Sequence, residues 1–209
     1  MTSAPFSSSL ELVVLHALRC VGATSLARLA AAARLAPADV ESVLIDLAVD
    51  RLVTFFRGPF GGWAITDEGR AEDARQIAAE LHQAGARPAV ERAYVTFLGA
   101  NPDVLDVCTA WQLRPVGGMT RANDHTDHRY DDRVLKRLAG LNDRIQDMCT
   151  QLAGSMDRFT PYGPRLGHAV AGALVGDSAL ITESTDSFHA VWFQLHEDLL
   201  TTLGIPRQH

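Results

Sequence analysis

Trp63-Ala64-Ile65-Thr66-Asp67-Glu68-Gly69-Arg70 reads as a short strand that runs straight into the first turn of a helix. Thr66 has the hydroxyl to cap that helix, and Asp67 and Glu68 stand where the positive end of the helix dipole favours carboxylates. Immediately upstream, Leu52-Val53-Thr54-Phe55-Phe56 is β-branched and aromatic, and Gly58-Pro59-Phe60-Gly61-Gly62 is dense in turn formers. The two runs predict an antiparallel β-ribbon with a turn between. Working further outward, Val40, Val43, Leu44, Leu47 and Ala48 fall at helical spacing in a helix over 37–50, for which Pro37 suits the first turn. Leu35-Ala36-Pro37-Ala38-Asp39 is the turn before it. An Ala-rich helix through Leu26, Leu29 and Ala33 precedes that turn, started by Thr24 or Ser25. The first helix is capped by Ser9, runs through Leu12, Val13, Leu15 and Leu18, and is stopped by Gly22. Helix, helix, turn, helix, ribbon, helix is the order of a winged helix-turn-helix, expected over residues 1–85.

Gly85-Ala86-Arg87-Pro88 marks the predicted boundary, with a helical domain over 86–209. Its helices are expected at about 88–98, 102–113, 127–155, 164–175 and 185–203. The breaks between them fall at Asn101-Pro102, Pro115-Val116-Gly117-Gly118 and Pro161-Tyr162-Gly163-Pro164. Val134, Leu138, Leu141, Ile145, Met148 and Leu152 alternate spacings of four and three, the seam of a helical bundle or of a dimer contact. The expected fold class is mainly α with one small β-ribbon.

The stretch 10–81, and above all Ile65-Thr66-Asp67-Glu68-Gly69-Arg70, resembles MarR-like winged-helix transcription regulators. The later part is similar to a helical module attached to such domains in some actinobacterial proteins, on the strength of Asn123-Asp124-His125-Thr126-Asp127 and Trp192-Phe193-Gln194-Leu195-His196-Glu197-Asp198-Leu199-Leu200. The resemblance implies a DNA-binding regulator, with helix 37–50 in the major groove and the wing at 57–62 near the minor groove. A homodimer and a small-molecule effector bound in the helical domain complete that expectation.

Charge pulls against it. The chain carries 19 Lys plus Arg against 25 Asp plus Glu, for a net charge of −6, so it has no global basic field to draw phosphates. The expected recognition helix holds Asp39, Glu41, Asp46 and Asp50 and neither Arg nor Lys. DNA contacts would therefore fall to Arg28, Arg34, Arg51 and Arg57, with Ser42 as a polar contact and Asp39 or Glu41 as acceptors from cytosine N4. The alternative is a winged helix that binds a ligand or a protein and leaves DNA alone. Cys20, Cys108 and Cys149 are odd in number and widely spaced, which predicts buried free thiols in a reducing compartment. No apolar run reaches the roughly 20 residues of a membrane span, and the Ser-rich start lacks a secretion signal, which predicts a cytoplasmic protein without membrane contact.

Extending the 134–152 seam backwards places Asp127 and Asp131 inward, with Tyr130 beside them. The last helix has its own seam at His189, Trp192, His196, Leu199 and Leu203. Carboxylates and histidines facing one interior must find partners, because an unpaired buried charge is costly. Three arrangements would satisfy them. The His and Asp side chains pair with one another. Alternatively, they orient a small polar ligand walled by Trp111, Tyr130 and Trp192, with Arg114 clamping an acidic group. In the third, His125, Asp127, His189, His196 and Glu197 hold a divalent metal, although no HExxH spacing occurs. No nucleophile elbow or phosphate-binding loop is present, so neither catalytic residues nor a cofactor are expected.

Overall fold

The computed structural model describes residues 5–58 and 61–206. Two compact units emerge: the described residues of 1–91, 152–161 and 194–209 form one, and 92–151 with 162–193 form the other.

In the first unit, α1 (Leu10–Val21), α2 (Leu26–Ala33) and α3 (Pro37–Val49) lead into β1 (Val53–Phe56), β2 (Gly62–Ile65) and α4 (Asp67–Gln83). Ser9, Ser25 and Thr66 cap α1, α2 and α4 through side-chain oxygens that accept from the amides of Leu12, Arg28 and Gly69. The strands pair antiparallel with Val53 opposite Ile65 and Phe56 opposite Gly62. Thr24, in the link between α1 and α2, exchanges both backbone hydrogen bonds with Trp63 and extends the ribbon by one bridge. Val14, Leu15, Leu18, Leu29, Val40, Leu44, Leu47, Val53 and Ile65 close the core of this helix-turn-helix and its wing. Pro59 and Phe60, at the expected wing tip, lie outside the described residues.

The Thr-Asp-Glu-Gly segment owes its fit to two features. The Thr66 hydroxyl donates toward the carbonyls of Arg51 (2.8 Å) and Leu52 (3.0 Å) while accepting from Gly69 N–H, so one side chain ties the ribbon to α4. Gly69 lies against the Leu52 carbonyl so closely that a Cβ there would come within 2.0 Å of the oxygen. The glycine is thus a packing requirement, set by backbone meeting backbone.

Residues 152–161 and the described residues of 194–209 join this first unit, whereas the sequence assigns everything beyond 85 to one helical domain. The extra segments bring Met156, which bridges to Phe6, and a 3-10 turn at Asp157–Phe159. The charge pairs described below draw them there.

The second unit is built on α5 (Arg87–Gln112), α6 (His128–Ser155), α7 (Tyr162–Leu174), the short α8 (Ala179–Thr182) and α9 (Phe188–Leu203). Helices α5, α6 and α9 each contribute residues to both units. The expected break at Asn101-Pro102 is absent, and α5 runs through Pro102. A proline here forfeits the bond to the Leu98 carbonyl, but both residues are exposed, so that carbonyl can turn to water. The break expected at 115–118 is a second hairpin, β3 (Leu113–Val116) with β4 (Met119–Ala122). Val116 pairs with Met119, so Gly117 and Gly118 form a two-residue loop, and both have positive φ. That is the backbone of a type I′ turn, which glycine adopts without strain. The α6 seam is buried within the single chain at Val134, Leu138, Leu141, Ile145, Met148 and Leu152, which makes it an intramolecular core. Cys20, Cys108 and Cys149 are buried free thiols; burial pushes Cys108 up to about 11 and Cys149 to about 12. Among the described residues no helix is long and apolar enough to cross a membrane.

Replacing Gly69 by alanine is expected to destabilise the first unit by about 1–3 kcal/mol, the usual cost of overpacking. Urea denaturation of Gly69→Ala against wild type checks it, and an unchanged midpoint would contradict the close approach.

Candidate functional site

Three constellations carry chemistry. The first is the exposed surface around α3. Arg28 lies on α2, Arg34 caps its end at φ +55°, Arg51 follows α3 at φ +62°, and Arg57 follows β1. All four are exposed, and none is in an ion pair among the described residues. Ser42 is exposed on α3 between Glu41 and Val43. The acids of α3 divide. Asp46 and Asp50 line a cleft of about 310 Å³ with Glu11 of α1 and with Glu72 and Gln76 of α4, on the flank of the helix. Asp39 and Glu41 remain nearer its N-terminal end. Ile45 and Val49 on α3 and Phe55 and Phe56 on β1 are large apolar side chains left more than half exposed.

The second constellation is buried in the first unit and was not anticipated. His16 of α1 places Nδ1 at 2.9 Å from Asp73 of α4 and Nε2 at 3.1 Å from Asp198 of α9. Arg158, in the 3-10 turn, donates through Nε to Glu80 (2.9 Å), through Nη1 to Asp198 and through Nη2 to Thr202 (2.6 Å). Its guanidinium lies 4.4 Å over the Phe159 ring. Arg19 donates to Asp73 at 3.3 Å, and Ser8 donates to Glu80. With His16 protonated, three cations meet Asp73, Glu80 and Asp198.

Burial works against the His16 imidazolium, but Cys20, Asp198 and Asp73 outweigh it and hold the pKa well above 6.5. Burial likewise works against the Asp198 carboxylate, and Arg158 and His16 overcome it, holding that group far below the usual 3.8. His16, Cys20 and Asp198 have ligand atoms within 4.8 Å of one another, a spacing compatible with a metal. Yet Arg158 Nη1 lies 3.3 Å from His16 Nε2 and also holds Asp198, so a fixed cation already serves these groups. The arrangement is an ion-pair core. A signal for it exists in the sequence: Asp73 and Glu80 share a stripe with Ile77, and Asp198 lies within the apolar run of α9, all at buried positions.

The third constellation, in the second unit, gathers five of the residues expected around a ligand. Asp131 is buried; its Oδ1 accepts from Asn123 Nδ2 at 2.8 Å and its Oδ2 faces His125 Nδ1 at 3.1 Å. The His125 ring lies 4.4 Å from the buried Trp111 indole. Arg114 donates to Asp124 (2.6 Å) and Thr126 (3.2 Å). The Tyr130 hydroxyl lies 2.9 Å from the Ala110 carbonyl and 3.0 Å from that of Leu113, tying α6 to the end of α5. Asp127 is exposed and accepts from Tyr130 N–H, so it caps α6. The inward placement expected for Asp127 fails because the helix begins at His128, and the seam cannot be extended past a helix start.

Asp127 and Asp131 find the partners named above, Tyr130 N–H for the first and Asn123 and His125 for the second. His189 is half-buried in the second unit, whereas His196 belongs to the first, because the division crosses α9 between Phe193 and Gln194. Glu197 also belongs to the first unit, 3.7 Å from Arg19. Trp192 stacks on Phe97 at 4.1 Å and donates from Nε1 to Asn101 at 2.9 Å, a buried anchor between α5 and α9. No family model, curated protein or solved structure matches the chain.

Neutralising Asp198 as Asp198→Asn or truncating Arg158 as Arg158→Met is expected to cost about 3–5 kcal/mol, because each strands a buried opposite charge. The His16 contribution has a defined pH window. It is fully present below the unfolded value near 6.5 and is lost as pH rises through the elevated folded value. Asp198 acts at the other end: its contribution is present above 3.8 and lost as pH falls through its depressed value. Urea midpoints followed from acid to alkaline pH should decline on the alkaline side in wild type, and His16→Gln should flatten that decline.

Proposed function

We propose that this chain is a winged-helix transcription regulator of the MarR-like kind, which binds operator DNA as a homodimer and takes its input through the second unit. One observation carries the reading: Arg28, Arg34, Arg51 and Arg57 are exposed around α3 without carboxylate partners among the described residues. Side chains already neutralised within the protein have little to offer phosphates, so free arginines count most. The cleft shared by Asp46 and Asp50 with Glu11 and Glu72 also supports it, since it draws two of the four acids to the flank of α3. Asp39 and Glu41 oppose phosphate contact, which confines backbone contacts to the arginines beside the helix. Ser42 is the polar side chain available for base reading.

A second reading, a winged helix that engages a protein and no DNA, is favoured by Ile45, Val49, Phe55 and Phe56, whose exposure gives the same surface an apolar component. Salt dependence separates the two. Four arginines give a slope of log affinity against log salt of about −4 per protomer and about −7 for a two-fold dimer. Fluorescence polarisation with the gene's upstream DNA at several salt concentrations should show that slope, reduced by about 1 per protomer for Arg28→Ala or Arg57→Ala. A salt-insensitive or undetectable signal would give way to the protein-binding reading.

A further inference from the structure

The geometry around Asp131 fixes the tautomer of His125. Asn123 Nδ2 has two protons, and both are spent: one on the Trp111 carbonyl at 3.1 Å and one on Asp131 Oδ1 at 2.8 Å. Nδ1 of His125, although 3.2 Å from the same amide nitrogen, therefore receives no proton from it and must donate its own to Asp131 Oδ2. In the neutral ring the lone pair is then on Nε2, which has no hydrogen-bond partner among the described residues. The His125 side chain is 42% exposed, while that of Asp131 is 11% exposed. His125 also holds φ at +56°, an uncommon conformation for a residue with a Cβ, fixed by its own amide donating to Asn123 Oδ1. A buried carboxylate, an oriented and partly exposed imidazole, and a lone pair with no partner among the described residues make a nucleophile.

We propose that His125 is a phosphoryl-acceptor site, which takes a phosphoryl group on Nε2 from a phosphoramidate or an acyl phosphate. The Nε2 lone pair attacks phosphorus and forms the N–P bond. The P–N or P–O bond to the leaving group breaks, and its electron pair departs with the amine nitrogen or the carboxylate oxygen. The Nδ1 proton stays in place, so the ring becomes a phosphorylated imidazolium whose positive charge faces Asp131. The hairpin that leads into His125 carries Arg114 and Arg121 at directly opposed positions, hence on one face. Arg114 is engaged by Asp124, whereas Arg121 is exposed with no carboxylate partner among the described residues and is available to a dianionic phosphoryl group. The exposed ring suits a group presented from outside the protein. His82, His128 and His168 are also exposed but pair with no buried carboxylate among the described residues, and His16 is buried with both nitrogens engaged.

This deepens the input half of the regulatory reading and rests on it only for what the modification would control; the test detects the phosphoryl group itself and is blind to DNA. The full chain is incubated with potassium phosphoramidate in one arm and acetyl phosphate in the other. Intact mass and peptide mapping under alkaline conditions then locate any acid-labile adduct. One phosphoryl group per chain at His125 is expected, absent in His125→Asn, retained in His128→Asn, and formed about tenfold or more slowly in Asp131→Asn, which lacks the charge partner of the developing imidazolium. Reaction in only one arm supports the site and identifies its donor class. Absence of an adduct in both arms, or modification of His82, His128 and His168 as fast as His125, would overturn the proposal. Should Asp131→Asn prove unfolded by circular dichroism, the order of reactivity among the wild-type histidines decides alone.

Discussion

Moving an isolated ion out of water into a protein interior costs several kcal/mol even after relaxation. The first unit carries out that transfer repeatedly, with His16, Asp73, Glu80, Arg158 and Asp198 all withdrawn from solvent. Such a group is tolerable only when the charges cancel and every polar atom finds its complement. Here each carboxylate meets at least one cation, and Thr202 and Ser8 take up further contacts. The partners come from α1, α4, the 3-10 turn at Asp157–Phe159 and α9, so the winged helix is electrostatically incomplete without chain that follows it by more than sixty residues. This one requirement sets the composition of the first unit.

Much of that unit was legible in the sequence because its signals are local. Ser9, Ser25 and Thr66 cap helices within three residues of themselves, and Gly58 to Gly62 can be little other than a turn. The β3–β4 hairpin was legible in principle through Gly117-Gly118, but Pro115 masked it as a simple break. Pro102 misled in the opposite direction, since its surroundings are wet enough for the helix to continue. What no local rule supplies is the pairing of Asp73 with His16 or of Arg158 with Glu80. These partners are distant in sequence, and only the fold decides which stripe of a helix is dry. Asp127 and Asp131 illustrate the same point: four residues apart, they divide into an exposed cap and a buried acceptor because α6 starts between them.

The two units use titratable groups in opposite ways. In the first, the imidazole of His16 is enclosed and both nitrogens are committed to carboxylates, which suits a permanent charge. In the second, His125 commits one nitrogen to Asp131, and the other has no hydrogen-bond partner among the described residues. Burial of the partner, not of the histidine, is what makes the difference: Asp131 is sheltered by Asn123 and Trp111 while the ring above it stays accessible. Arginine shows a similar division, with Arg158 and Arg19 spent on internal carboxylates and Arg28, Arg34, Arg51 and Arg57 exposed without an ion pair among the described residues.

The contribution of α9 to the first unit also bears on synthesis. An N-terminal domain commonly folds while later parts of the chain are still being made. Here the helix-turn-helix and ribbon emerge from the ribosome long before Asp198 and Thr202. Until they do, His16 and Arg158 lack part of their neutralising set, and the nascent winged helix has to stay hydrated and loose at its centre. The first unit therefore cannot set until translation has passed Thr202.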